Sequence, residues 1–471
     1  MFAEEQPEWK DRIMLLDDTG RKITYGELNE FCLKTGKYME KRKLLFLLCE
    51  NCTGSVETYF SCLRNGIVPL LLDGRMPESG LLELQQMYAP DYIAAAKGQE
   101  KKLRELFPKA GLLWEEQEFV CFDFAVNGTE LYEDLALLLT TSGSTGSPKL
   151  VRLSYRNLSS NAASIASYLE LTRTERPVTT LPMNYTYGLS VLNSHVLVGA
   201  EILLTAKTLF DREFWDFARR ERATSLSGVP YTYQMLEKLD FFHMDLPDLT
   251  TMTQAGGKLP LELHRKFAGF AEETGKKFIV MYGQTEATAR MGYLPAQYAC
   301  EKCGSMGVAI PGGKFSLTKE GELVYEGKNV MLGYASCKED LKKGDEKKGC
   351  LFTGDMAKRD GDGFYYITGR KSRFLKLFGK RIGMDETEEL LRQRFKDVQF
   401  ACTGTDDEMQ IYMADGQGLR EQVLIFLEEK TGINRRGFSV SEIGQIPKNE
   451  AGKVMYKELK NKMRYTVNTE I

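Results

Sequence analysis

Residues 137–157 read LLLTTSGSTGSPKLVRLSYRN, and everything else in the chain is read outward from them. A strand-like apolar run enters Thr141-Ser142-Gly143-Ser144-Thr145-Gly146-Ser147-Pro148-Lys149; a second strand-like run leaves it, and a helix opens near Asn157. Those nine residues hold five hydroxyls and two glycines. Such a loop can turn backbone N–H groups and side-chain Oγ donors toward a polyphosphate, with glycine permitting close approach and Lys149 adding positive charge. The run is not a Walker A loop, because Lys149 follows the second glycine by three residues and no Ser or Thr comes after it.

Upstream, apolar runs alternate with helical patterns. Residues 25–41 space Leu28, Phe31, Cys32 and Tyr38 as a helix, ahead of the strand-like Leu44–Cys49. Residues 54–65 read as a helix capped by Gly66, and residues 67–72 as a buried strand. Similar strand patterns recur at Leu135–Thr140, 177–181, 201–204 and 278–281. This alternation predicts parallel sheets joined by helical crossovers. After about residue 310 the texture changes to short alternating strands at 321–325, 331–334 and 363–368, with Asp360-Gly361-Asp362-Gly363 as a hairpin turn. The charged run 338–348 reads as a solvated loop. Helices follow at 385–395, 418–431 and from Val454, so a hinge between modules is expected near 370.

Composition excludes several classes. With 63 Lys+Arg against 66 Asp+Glu, net charge −3, there is no basic surface for nucleic acid. The three histidines, His195, His243 and His264, form no recognisable ligand pair. Ten cysteines in 471 residues are too few for a disulfide scaffold, and the two CxxC pairs lie too far apart for a zinc ribbon. No apolar stretch reaches the ~20 residues of a membrane span, and the acidic N-terminus lacks a secretory apolar region. A cytoplasmic protein without a membrane span is expected.

TSGSTGSPK resembles the phosphate loop of the adenylate-forming (AMP-binding) superfamily, which includes acyl-CoA synthetases, amino-acid adenylation domains and luciferases. Further motifs of that superfamily follow in order from residue 23 to residue 454. Ile23-Thr24-Tyr25-Gly26-Glu27-Leu28 resembles its opening helix. Gln254-Ala255-Gly256-Gly257-Lys258 is similar to the glycine turn along the adenine, and Tyr282-Gly283-Gln284-Thr285-Glu286 to the motif whose aromatic ring stacks on that base. The resemblance implies that Thr285 contacts the α-phosphate and that Glu286, with Thr145, holds Mg²⁺. Asp355 of Thr353-Gly354-Asp355 would accept from the ribose hydroxyls, with Arg370 of Gly369-Arg370 contacting ribose or phosphate. Gly379 in FLKLFGKRI would line the thiol channel. Lys453 of PKNEAGKV would be the catalytic lysine, touching carboxylate and α-phosphate as charge develops between them.

Two positions depart from the pattern. The hinge residue, commonly Asp or Lys, is Ser372, and the customary histidine after the Leu-Pro turn is Tyr185 in Leu181-Pro182-Met183-Asn184-Tyr185-Thr186-Tyr187. Asn184, Tyr185 and Tyr187 are candidate pocket residues. No aspartate stands near them to pair with an α-amino group, which favours an acyl or aryl acid over an amino acid. The resemblance implies an α/β fold. Its large N-terminal domain (1–371) has stacked α/β subdomains and a small β-barrel-like part, and its small mobile α+β domain (372–471) carries Lys453. The implied reaction joins a small carboxylic acid and MgATP to an acyl-adenylate with release of pyrophosphate, then transfers the acyl group to CoA or to the phosphopantetheine of a separate carrier protein. The alternatives are an amino-acid adenylating ligase and a nucleotide-binding paralogue without catalysis; a phosphate-hydrolysing motor is disfavoured by the Lys149 spacing.

Overall fold

The computed structural model describes residues 7–125, 129–140, 149–378, 380–405, 408–449, 454–456 and 458–459. The chain divides into two compact units, residues 1–315 with 325–351, and residues 316–324 with 352–471.

The first unit is built on two sheets. In one, Leu44–Cys49 lies between Val68–Asp73 and Tyr92–Ala96, parallel to both, and Val68–Asp73 also pairs with Leu135–Thr140 in parallel. Leu150–Ser154 then returns antiparallel to Leu135–Thr140. In the other, Ile202–Leu204, Pro177–Val178, Ser225–Gly228, Thr251–Gln254 and Lys277–Tyr282 run parallel side by side. All six residues of Leu44–Cys49 are buried, as expected for a central parallel strand covered on both faces. One apolar core draws Leu45, Leu47 and Leu137 from the first sheet, Leu15, Ile202 and Leu204 from the second, and Val56, Leu189 and Leu192 from helices. The other face of the first sheet is closed by Leu81, Leu84 and Leu103.

Local chemistry explains the element ends. Thr24 caps the helix Tyr25–Thr35 through a reciprocal capping box with Glu27, so this motif residue serves the backbone. Gly66 closes the helix Thr53–Asn65 in the left-handed region at φ 71°. The Asp360 turn is a hairpin turn: its carboxylate accepts from the Asp362 and Phe364 amides between strands Cys350–Arg359 and Tyr365–Arg370.

The run 338–348 is largely exposed, as its charge implies, but it is also anchored. Leu341 is fully buried, and its carbonyl accepts from the Tyr132 amide. The buried Arg152 pairs with Glu346 and donates to the Lys343 carbonyl. A charged composition concealed this role, because the anchoring arginine lies 191 residues from Lys343 in the chain.

The second unit has its own core under a three-stranded sheet. Gln399–Thr405 pairs antiparallel with Glu408–Ala414, which pairs in parallel with Phe438–Glu442. Leu391 of Met384–Arg394 and Val423 and Leu427 of Arg420–Thr431 pack on it. Among the described residues, no helix is long and apolar enough to cross a membrane.

One buried acid sets a pH dependence. Glu57 is 1 % exposed, its Oε2 has no hydrogen-bond partner, and Arg21 stands off at 3.8 Å. Burial raises its pKa from 4.5 to about 7. A raised acid favours the folded state where it is protonated, so this contribution is present below pH 4.5 and is lost as pH rises toward 7. Glu57→Gln is therefore expected to raise the thermal midpoint by a few degrees at pH 8, corresponding to roughly 2 kcal/mol, and to gain nothing at pH 4.5. Thermal scans of both proteins at the two pH values check this.

Candidate active site

In the second sheet, the carboxyl ends of the parallel strands Ser225–Gly228, Thr251–Gln254 and Lys277–Tyr282 lead into the turns that carry the candidate residues. That edge is where open α/β sheets bind ligands. The buried Gln254 donates from Nε2 to the carbonyls of Ala255 (3.1 Å) and Gly257 (3.0 Å), which fixes the glycine turn. Gly256 has φ +83°, and a Cβ there would lie 2.5 Å from the Tyr185 hydroxyl. Glycine is thus required both by the backbone and by the aromatic ring laid against it. Gly257 and Lys258 are exposed beside it, and Asn184 and Tyr185 are half-buried. Burial raises the Tyr185 phenol to about 12, so it is a neutral donor at physiological pH.

The loop after Tyr282 is tighter still. A Cβ on Gly283 would fall 1.5 Å from the Ala289 carbonyl oxygen, so the chain folds back onto the glycine with no room for a side chain. Thr285–Ala287 form a short 3₁₀ turn, followed by Thr288 at φ 60° and Ala289 at φ 110°. Both are unusual for residues with a Cβ, and such strain persists only where neighbours hold it. Asn329 supplies that hold: its Nδ2 donates to the Ala287 and Arg290 carbonyls, and its own carbonyl accepts from Thr288 Oγ1 at 2.6 Å.

The result is a fixed half-buried pair, Thr285 and Glu286. Glu286 Oε1 accepts from the Tyr334 hydroxyl at 2.8 Å, and its backbone carbonyl accepts from the Met331 amide. A carboxylate oriented by a hydroxyl suits a hard cation that keeps several waters. Gln284 Nε2 donates to the Tyr282 hydroxyl at 3.3 Å. Tyr187 is buried; its hydroxyl bonds Thr253 and its ring lies under the Arg290 guanidinium, 4.5 Å from the centroid. Arg290 was missed in the sequence reading, as a lone basic residue between Ala289 and Met291.

In the second unit, Asp355 and Arg370, fifteen positions apart, face each other across the hairpin in register, Arg370 Nε to Asp355 Oδ1 at 2.7 Å. Asp355 is 3 % exposed, whereas the arginine reaches solvent. Ser372 is exposed in the 3₁₀ turn Lys371–Arg373. Beside it Arg373 is anchored by Asp385 and Glu388, with its guanidinium 3.7 Å from the centre of the Tyr456 ring. Lys448 and Val454 form a β-bridge, and Lys448 Nζ donates to Gln399. Thr141, Ser142, Gly143, Ser144, Thr145, Gly146, Gly379 and Lys453 lie outside the described residues; Lys149 is described and exposed.

Comparison with known proteins identifies the family and the fold. The profile described as AMP-binding enzyme matches residues 2–335. Among curated relatives, the 2-succinylbenzoate–CoA ligase of Bacillus cereus (strain Q1) is 26 % identical, the match covering 97 % of this chain and 98 % of that ligase. ATP-bound MatB from Rhodopseudomonas palustris superposes with TM-score 0.77 at 21 % identity, covering 98 % of each chain. The o-succinylbenzoate CoA synthetase (MenE) from Bacillus subtilis, in complex with the acyl-adenylate intermediate OSB-AMP, gives TM-score 0.76 at 21 % identity over 98 % of this chain and 96 % of that one. The same synthetase is also known in complex with ATP and magnesium ion. At these identities the structures show a shared fold. The chain belongs to the AMP-binding enzyme family and is an AMP-forming acid–thiol ligase, activating a carboxylic acid with ATP as its acyl-adenylate and passing the acyl group to a thiol.

Proposed function

We propose that the acceptor thiol is coenzyme A and that the reaction uses residues at the strand edge of the first unit together with residues of the second unit. The carrying observation is the pair of forced glycines, Gly256 and Gly283, which hold Tyr185 and Thr285-Glu286 at the carboxyl ends of adjacent parallel strands. The residues present fit MgATP: a glycine turn, a ring at Tyr282, and a carboxylate aligned by Tyr334. Bound Mg²⁺ neutralises phosphate charge and favours pyrophosphate departure.

In this reading the 141–146 loop and Lys149 hold the phosphates, Gly256, Gly257, Lys258, Tyr282, Gly283 and Gln284 the base, and Asp355 with Arg370 the ribose. Glu286 and Thr145 hold the cation. The substrate carboxylate attacks the α-phosphorus, forming the acyl–phosphate bond as the bond to pyrophosphate breaks. Thr285 and Lys453 offset the charge concentrated in that step. The thiol sulfur then attacks the acyl carbon in a channel lined by Gly379, AMP leaves, and the thiol proton goes to solvent. Residues 372–471 act as the mobile module, pivoting at Ser372. The ten unpaired cysteines and the use of ATP and CoA are consistent with the cytoplasm. Asn184, Tyr185 and Tyr187 border the acid.

CoA is favoured over a carrier protein by the CoA-ligase relatives, which match nearly the whole chain. Thioester formation measured with free CoA and with holo carrier proteins separates the two. The expected result is turnover with CoA; turnover with a carrier alone contradicts the assignment.

A further inference from the structure

We propose that Arg290 is the specificity residue of the acid pocket and selects substrates whose far end carries a second carboxylate. This rests on the ligase reading above. Arg290 is 2 % exposed, yet among the described residues no carboxylate lies within ion-pair distance of it. Its Nη1 donates to the Tyr168 hydroxyl at 3.1 Å and touches the Met281 sulfur, while its Nε is buried with no hydrogen-bond partner. A buried guanidinium left in that state is costly. The other fully buried arginine, Arg152, by contrast meets the carboxylate of Glu346.

Arg290 lines a cavity among the strands Ser225–Gly228 and Thr251–Gln254 and the helix Thr186–Leu197. Its polar lining includes Ser194, His195, Ser227 and Thr253. The one carboxylate in the lining, Glu175, accepts from Thr224 at 2.7 Å and makes no ion pair with Arg290. His195 directs Nδ1 at the Val191 carbonyl (2.8 Å), and its Nε2 is a second buried atom without a partner. Burial lowers His195 to about 4, so at neutral pH Nδ1 carries the proton and Nε2 is an acceptor. Two unpartnered groups of opposite hydrogen-bonding sense thus line one cavity. Tyr187 links it to the motif-bearing pocket residues, since its hydroxyl bonds Thr253 and its ring underlies Arg290.

The chemistry of this lining selects. A cationic donor repels an ammonium, which disfavours amino acids, and although Leu169, Leu171 and Val191 also line the cavity, an apolar tail would leave Arg290 Nε without a partner. A carboxylate supplies the missing counter-charge and accepts from the guanidinium. The cavity has room for roughly one water, so a carboxylate reaches Arg290 there only by displacing that volume and shifting the lining side chains.

The test compares full-length enzyme on matched pairs: C3–C6 and aromatic dicarboxylic acids, 2-succinylbenzoate among them, against their half-amides, with butyrate and octanoate. AMP formation is the readout. Wild type is expected to prefer at least one diacid over its half-amide by about 100-fold in kcat/KM. In Arg290→Gln that ratio is expected to fall by about 100-fold, mostly through KM, and Arg290→Lys to restore part of it. Equal losses on both members of a pair, with the ratio kept, overturn the proposal by making Arg290 structural. Should neither variant fold, the wild-type ratio decides alone. Turnover confined to half-amides or monocarboxylates overturns this inference and leaves the ligase reading standing. No AMP with any acid overturns both.

Discussion

Lys453→Ala is expected to reduce acid-dependent exchange of labelled pyrophosphate into ATP by about 1,000-fold or more. The first half-reaction brings a carboxylate against a triphosphate, so negative charge is concentrated where the new bond forms. A single ammonium touching both partners in the transition state accounts for roughly 4 kcal/mol of such a barrier. Lys453 stands in a stretch whose flanks are tied back together: Lys448 bridges Val454, and the Met455 amide donates to the Pro447 carbonyl at 2.9 Å. Transfer from a synthetic acyl-adenylate to CoA does not involve the triphosphate and is expected to persist in the variant. Loss of both half-reactions together, with an unchanged melting profile, contradicts the assigned role. Near-complete retention of exchange contradicts it as well.

Gly283→Ala is expected to be almost as damaging, for a steric reason. The added methyl falls 1.5 Å from the Ala289 carbonyl oxygen, an atom of the backbone that no rotamer can move aside. The loop must open, and with it the hydrogen bonds from Asn329 that hold Thr288 and Ala289 at positive φ. Thr285 and Glu286 sit inside that loop and move with it. A displacement of about 1 Å in a positioning group costs about 100-fold, and the strained backbone adds a stability loss of about 3 kcal/mol or more. Steady-state kinetics with a thermal scan read both effects. Wild-type activity at wild-type stability shows that the fold-back is not needed.

Much of this was legible in the order of the motifs. The strands Leu44–Cys49 and Leu135–Thr140 were readable because buried parallel strands are unbroken apolar runs. Gly256 and Gly283 were readable as glycines, although the reason for them, a tyrosine ring in one case and a returning carbonyl in the other, is a tertiary fact. Asp355 and Arg370 were readable as a pair because a hairpin turns fifteen residues of separation into direct opposition. Arg290 was not. An arginine in a short segment looks like surface charge until burial and the missing counter-ion are known, and both depend on Tyr168, Tyr187 and Met281 from distant elements. The 338–348 segment is solvated as its composition implies, but its anchor, Arg152, was not legible from it.

The central claim is most directly tested by product analysis of the purified enzyme with ATP, Mg²⁺, CoA and the acid panel. AMP, pyrophosphate and acyl-CoA forming in equal amounts, only when an acid is present, is the predicted result. ADP or orthophosphate as the primary product, or ATP consumption that ignores the acid, would contradict it.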